Sequence, residues 1–550
     1  MDRHASRYDA ACAVLLTLLT VVSRLPFRAR TLYNWDAVQF ALALREYDVV
    51  KHQPHPPGYI LYVALARLAN AWFGDATAAY VALAVVFSGL TTFVVFYLAR
   101  AIYGRATAVA AAAVLAVSPL FWFYGTVGLS YTAEALFASI VAYFAWRALS
   151  GSETDAWLAA GYLGVAAGVR QSLLLLLFPL WLGATVFGTR RVRAVLGGLA
   201  IMAVAVLTWF VPMIWLTGGL ERYLDASRDL AETVVKPTSI VGGALEVTLR
   251  MFRYQLESLL VGLGPLALAV FLVPWYVRRH GWGTREWFLL GWTLPPVLVY
   301  TLVHFGQAGY VLTFLPALVL LLARVVVAAL SDTALFARRP RLSTAAVAAA
   351  IAVVVLANGS FFVSARPRAR DFDSPQPAWA KAAHDEAFDW IFSRTAAALR
   401  EHEEVVQTFV GAIRGLYDPS DTAVVTEVGN PRSYPWMRHA MFYLPQFQIY
   451  ELQVGSLPFG FYAPRTSSVM SRVPDAEVHL APGIKRLVWF VDHWSPLAER
   501  PPGLEEIEIP HGRYLYALAL PRGALAYEGY TLIRDEARPR PAVAARGAVR

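Results

Sequence analysis

Residues 33–59, YNWDAVQFALALREYDVVKHQPHPPGY, form a polar island between long apolar segments of a 550-residue chain. Trp35, Val38, Phe40, Ala41, Leu42 and Leu44 recur there at helical spacing, which predicts a short helix with Asp36, Gln39 and Arg45 toward its polar side. His52, Pro54, His55, Pro56, Pro57 and Gly58 follow. Three prolines fix φ and withdraw backbone donors, so the helix cannot continue and a rigid loop returns the chain toward the next apolar run.

The chain around this island is 57% hydrophobic and only 16% charged, with a mean hydropathy of +0.47. That balance excludes a purely soluble protein and predicts a polytopic α-helical membrane protein. Apolar stretches long enough to cross about 30 Å of hydrocarbon lie near 10–27, 77–99, 107–124, 132–149, 156–187, 195–216, 257–277, 286–303, 309–330 and 343–363. The fifth is too long for one crossing. Gly168, Arg170, Gln171 and Ser172 interrupt it, so it divides into a helical hairpin and the total becomes about eleven transmembrane helices. Residues 58–73 are apolar but short and contain Arg67, which predicts an interfacial helix.

The formal net charge of +9 is a topology signal rather than a nucleic-acid footprint. Arg100 and Arg105; Arg147; Arg190, Arg191 and Arg193; Arg278, Arg279 and Arg285; and Arg338, Arg339 and Arg341 fall in alternate connections, which are therefore expected inside. The connections 125–131 and 304–308 carry no Lys or Arg. The expected topology is N-terminus in and C-terminus out, with the loop 28–76 and its interfacial helices on the exoplasmic face. The single cysteine, Cys12, excludes a disulfide framework and a cysteine zinc cluster.

After residue 364 the apolar runs shrink to strand length. A transmembrane domain over 1–364 is followed by an expected soluble α/β or α+β domain over 365–537 and a disordered tail over 538–550. The tail domain opens on a helical pattern near 378–398 and has strand-like runs at 422–428, 447–453, 485–492 and 513–520. Asp492 and His493 read as turn residues at a strand end.

The connections expected inside are too short for a nucleotide fold of about thirty residues, which argues against ATP and nucleotide sugars. Gly262 and Gly264 before Pro265 lack the third glycine of a dinucleotide fingerprint. Ionisable groups gather instead at one expected face: Asp36, Glu134 at the start of a span, Arg170 at the hairpin apex and His304 at the end of another span. A carboxylate there suits a general base, and cations suit a phosphate.

These residues carry a resemblance. The runs NWDAVQFALAL, HPHPPGYILY, SPLFWFYGTVGLSYTAEALF, AAGVRQSLLLLLFPLW and GYVLTFLPALVLLLA are similar to the integral-membrane C-class (GT-C) glycosyltransferases, most of all the protein O-mannosyltransferase-like branch with bacterial members of glycosyltransferase family 39. The resemblance covers residues 10–330. It implies a polyprenyl-phosphate sugar donor, an acidic residue of the first outer loop as base, here Asp36, and a glycan, lipid or protein hydroxyl as acceptor. The family often has two adjacent acids at this place; here Asp36 is followed by Ala37.

Asp36 is accordingly the expected catalytic residue, with His52, His55, Arg170, Glu134 and Tyr310 toward donor phosphate or sugar. No resident metal site is predicted, a divalent cation stays open as cofactor, and membrane lipids but no nucleic acid are expected partners. The alternatives with the same architecture are a transporter or flippase of lipid-linked glycans and a non-catalytic membrane scaffold.

Overall fold

The computed structural model describes residues 3–243, 245–304, 306–332, 339–367, 392–428, 436–454, 477–491, 497, 499–521 and 523–534. The chain divides into two compact units, Met1–Glu403 and Glu404–Arg550. The first is a helical bundle built from α1 (Arg3–Arg24), α2 (Trp35–Arg45), α3 (Ile60–Phe73), α4 (Ala76–Tyr103), α5 (Arg105–Val117), α6 (Pro119–Tyr124), α7 (Tyr131–Ala148), α8 (Glu153–Val169), α9 (Ser172–Thr189), α10 (Val192–Thr217) and α11 (Leu220–Leu230). Longer helices follow at Leu245–Leu263, Thr284–Leu302, Leu315–Asp332 and Pro340–Ser364.

Seven helical stretches among the described residues are long and apolar enough to cross a membrane: Arg7–Phe27, Ala76–Tyr103, Ser172–Thr189, Val192–Thr217, Leu245–His280, Leu315–Asp332 and Pro340–Ser364. Shorter apolar helices, α3 and α5 among them, complete the bundle. The long apolar run 156–187 breaks where its polar residues fall, with α8 ending at Val169, Arg170 as its C-cap and α9 starting at Ser172. Helix α3 leaves Leu68 and Trp72 72% and 87% exposed, an apolar stripe suited to an interface.

Two breaks meet inside the bundle. Pro119 cannot donate to the preceding turn, so α5 stops at Val117 and α6 restarts with Ser118 as N-cap. The Ser118 hydroxyl donates to the Gly262 carbonyl at 2.6 Å, beside the point where Leu245–Leu263 gives way to the tighter helix Gly264–Leu272. The pair Gly262 and Gly264 is thus a helix break, consistent with its lack of a nucleotide fingerprint.

In the second unit, β1 (Thr422–Val428), β2 (Gln448–Gln453), β4 (Arg486–Trp489), β5 (Glu505–Ile509) and β6 (Arg513–Ala519) form one sheet in the order β2-β1-β4-β6-β5. Strand β1 runs parallel to β2 and β4, whereas β6 is antiparallel to β4 and β5. A second sheet holds β3 (Glu477–Leu480), β8 (Tyr530–Arg534) and β7 (Ala524–Tyr527). Val425, Leu487 and Trp489 of the first sheet share a core with Val478, Tyr527 and Leu532 of the second. Phe490 stacks between Phe409 at 5.3 Å and Trp436 at 5.1 Å. This is the mixed sheet domain expected after the spans, and the four expected strands coincide with β1, β2, β4 and β6. Most of the helical opening near 378–398, the pair Asp492 and His493, and the tail 538–550 lie outside the described residues.

Candidate active site

Helix α2 begins at Trp35. Asn34 is the N-cap, and its Oδ1 accepts the Asp36 amide at 2.9 Å. The capping role therefore falls to Asn34, and the Asp36 carboxylate, in the first turn, points elsewhere. Its Oδ1 lies 3.7 Å from His55 Nδ1, with the Asp36 side chain 21% exposed. Gln39, three residues along the same helix face, is buried and its Oε1 lies 2.6 Å from the same His55 nitrogen. With Nδ1 protonated, His55 donates to Gln39, and Nε2 accepts from the Tyr59 hydroxyl at 3.0 Å. Burial pushes the Tyr59 phenol well above its usual range, so it stays a neutral donor.

The proline turn holds His55 in this position. Gly58 has φ +111°, and a Cβ there would meet Met213 Sδ at 2.7 Å and Tyr47 Oη at 2.8 Å, so glycine is required by both conformation and space. The Tyr47 hydroxyl donates to the Gly58 carbonyl at 2.7 Å. Gln171 Nε2, at the apex of the α8–α9 hairpin, donates to the Pro57 carbonyl at 3.0 Å, and Tyr223 of α11 donates to Gln171 Oε1 at 3.1 Å. The turn is thus clamped by α10, α11 and the hairpin apex.

Arg170 sits on the other side of Tyr59. Its Nη1 donates to Glu134 Oε1 at 2.8 Å, and that oxygen also accepts the Ser130 hydroxyl at 2.7 Å. The Arg170 and Glu134 side chains are 7% and 0% exposed. The guanidinium carbon lies 4.1 Å from the Tyr310 ring centre, 5.7 Å from Tyr131 and 5.8 Å from Tyr59. Desolvating an ion costs several kcal/mol, of order 5, and here a carboxylate and aromatic faces offset it. Tyr310 in turn packs on Tyr300 at 4.7 Å and lies 5.7 Å from both Tyr131 and His304.

Asp36, His55, Tyr59, Arg170, Glu134 and Tyr310 therefore form one connected group. Glu134 does lie in the first turn of its helix, but its oxygen is bonded to Arg170. Arg170 faces the bundle interior rather than an interface, and Tyr310 is a ring face beneath it. His52 is buried in the turn with φ +55°, its amide donating to the Val49 carbonyl at 3.1 Å. Trp122, Phe121 and Phe123 are buried core residues. Among the described residues no group of three or more His, Cys, Asp or Glu is arranged to hold a metal ion.

Sequence reasoning passed over Tyr59, Tyr131 and Arg394 as site residues. Both tyrosines stand inside motifs already singled out, one closing the HPHPPGY run and the other opening α7, and their register with Arg170 was the available signal. Arg394 had none, since it lies beyond residue 330. Its Nε donates to the Tyr124 hydroxyl at 3.2 Å, and its guanidinium lies 5.6 Å from the Phe123 ring. Tyr124 and Tyr131 rings are 4.7 Å apart, so a continuous aromatic wall joins Arg394 to Arg170.

Residues 54–215 match the family model of dolichyl-phosphate-mannose-protein mannosyltransferases, a span that includes His55, Glu134 and Arg170. The structure is similar to that of ArnT from Cupriavidus metallidurans in the apo state, with a TM-score of 0.57 and 15% identity over 94% of this chain and 100% of that one. ArnT from the same organism bound to undecaprenyl phosphate aligns with a TM-score of 0.55 and 13% identity over 93% of this chain and 99% of that one. No curated protein matches by sequence. With seven apolar helical stretches of spanning length among the described residues and this architecture, the chain is an integral membrane protein that has the fold of the C-class glycosyltransferases.

Proposed function

We propose that the protein is an inverting glycosyltransferase that moves a sugar from a polyprenyl phosphate to a hydroxyl of a glycan, lipid or protein acceptor at the exoplasmic membrane face. The observation that carries this reading is the contact chain Asp36, His55, Tyr59 and Arg170, which links a partly exposed carboxylate to a buried guanidinium. A protein of the same fold binds undecaprenyl phosphate, which supports a lipid-phosphate donor. The arginine bias of the connections supports the exoplasmic assignment.

Asp36 takes the proton of the acceptor hydroxyl as the oxygen attacks the anomeric carbon. The bond from that carbon to the phosphate oxygen breaks, and its electron pair stays on the departing polyprenyl phosphate. Arg170 stabilises the charge that develops there; its guanidinium has five donors, and Glu134 holds Nη1 so that the fork is oriented before the donor arrives. His55, fixed by Gln39 and Tyr59, positions the Asp36 carboxylate. Attack from the face opposite the phosphate gives a product of inverted anomeric configuration.

Purified protein in lipid vesicles, given synthetic polyprenyl-phosphate sugars with a panel of hydroxyl acceptors, tests this reading. Release of polyprenyl phosphate together with an inverted glycoside is expected. Movement of the intact carrier across the vesicle with no bond cleaved would assign a flippase instead.

A further inference from the structure

Helices α8 and α10 pack closely through small residues: a Cβ on Gly164 would meet Ala205 Cβ at 2.7 Å and the Met202 carbonyl at 2.8 Å. On their outward side this contact opens into a groove of about 460 Å³ lined by Trp157, Gly161, Tyr162, Val165, Ile201 and Ala205, with Thr154 at one end. The Trp157 indole, one wall of the groove, is tied to α10, Nε1 donating to the Ala194 carbonyl at 3.2 Å. From Thr154 to Val165 the helix rises about 16 Å, half of a roughly 30 Å hydrocarbon layer, so the groove is one leaflet deep.

Its mouth is cationic. Glu153, next to Thr154, accepts from Arg191 and from Arg193, the latter at 2.8 Å, and Arg147 pairs with Asp155 at 2.9 Å. With Arg190 exposed at the same turn, four arginines face two carboxylates, a local charge of +4 − 2 = +2. Val192 and Leu196, 74% and 60% exposed, flank these arginines on α10. This end of α8 is the one opposite Arg170, so the groove belongs to the leaflet away from the candidate active site.

We propose that the groove is a binding site for one acyl chain of an anionic phospholipid whose headgroup phosphate is held by Arg190, Arg191 and Arg193. A cationic mouth above an apolar slot one leaflet deep fits a molecule with an anion on a short chain.

Native mass spectrometry of the purified protein, equilibrated with equimolar phosphatidylglycerol and phosphatidylcholine of identical chains, tests the assignment. The wild type should retain phosphatidylglycerol about tenfold better, equivalent to about 1.4 kcal/mol. R191Q/R193Q, its folding checked by melting temperature because both arginines also pair with Glu153, should lose that preference, and V165F, which narrows the slot, should lose retention of both lipids. Equal retention of the two lipids by the wild type, or a phosphatidylglycerol preference that survives R191Q/R193Q, overturns the proposal. So does a polyprenyl phosphate as the adduct displaced by V165F.

Discussion

The bundle holds two acid and base pairs linked along one contact chain through Tyr59, and they differ in kind. Glu134 and Arg170 are sealed, charge against charge at 2.8 Å under aromatic rings, while Asp36 and His55 stand 3.7 Å apart, at 21% and 15% exposure. A sealed pair is held in a single geometry and cannot readily exchange protons with a substrate. A half-open carboxylate can be reached by a hydroxyl and lose little when its partner moves. Under the proposed function, orientation of the leaving group and transfer of the proton fall to different pairs, linked through Tyr59.

The contrast breaks most visibly at Glu134. Glu134→Gln leaves Arg170 buried without its counter-charge, which costs about 3–5 kcal/mol; a large fall in melting temperature in detergent is expected, whereas Asp36→Asn should melt as the wild type does. Equal melting of the two variants would mean that the sealed pair is not structural. Next in size is Gly58→Ala. The positive φ and the close approach of Met213 and Tyr47 predict a loss of about 1–3 kcal/mol, seen by thermal melting, with activity falling alongside as the turn carrying His55 shifts. The smallest effect is Tyr59→Phe, which removes the 3.0 Å bond to His55 Nε2; about 1 kcal/mol, or roughly fivefold in turnover, is expected with the melting temperature little changed. A larger loss in Tyr59→Phe than in Gly58→Ala would place a reacting group at Tyr59 itself.

Much of the fold was legible because a bilayer imposes simple rules on sequence. The break at Gly168–Ser172 was visible since the apolar run 156–187 is too long for one crossing and its polar residues interrupt it, and the proline turn was visible since its prolines fix φ and withdraw backbone donors. The strands β1, β2, β4 and β6 announced themselves as short apolar runs. Strands β3, β5, β7 and β8 did not, because EVHL, EEIEI, ALAY and YTLIR are short or carry charge on one face.

The site was legible as a set of ionisable groups but not as an arrangement. Nothing in the local sequence of Arg170 says that Glu134 will be its partner rather than a cap, or that Asn34 will relieve Asp36 of capping. The Arg170–Glu134 pairing depends on helix packing over a separation of 36 residues, whereas the Asn34 cap is local, two residues from Asp36. Tyr59 and Tyr131 were hidden for a related reason: in a chain with 26 tyrosines, a ring that carries a guanidinium looks like any other apolar residue until its neighbours are known. Arg394 shows the limit most plainly, since it is distant in sequence from every motif yet its guanidinium closes the aromatic wall at Tyr124.

The central claim is that Asp36 is the base, and the most direct measurement is single-turnover transfer by Asp36→Asn in vesicles preloaded with a polyprenyl-phosphate sugar the wild type accepts. The substitution keeps shape and capping by Asn34 but removes the proton acceptor. Donor binding and melting temperature at wild-type values with transfer slowed about 10²–10⁴-fold is the predicted result; transfer at the wild-type rate would contradict it and move the base elsewhere in the site.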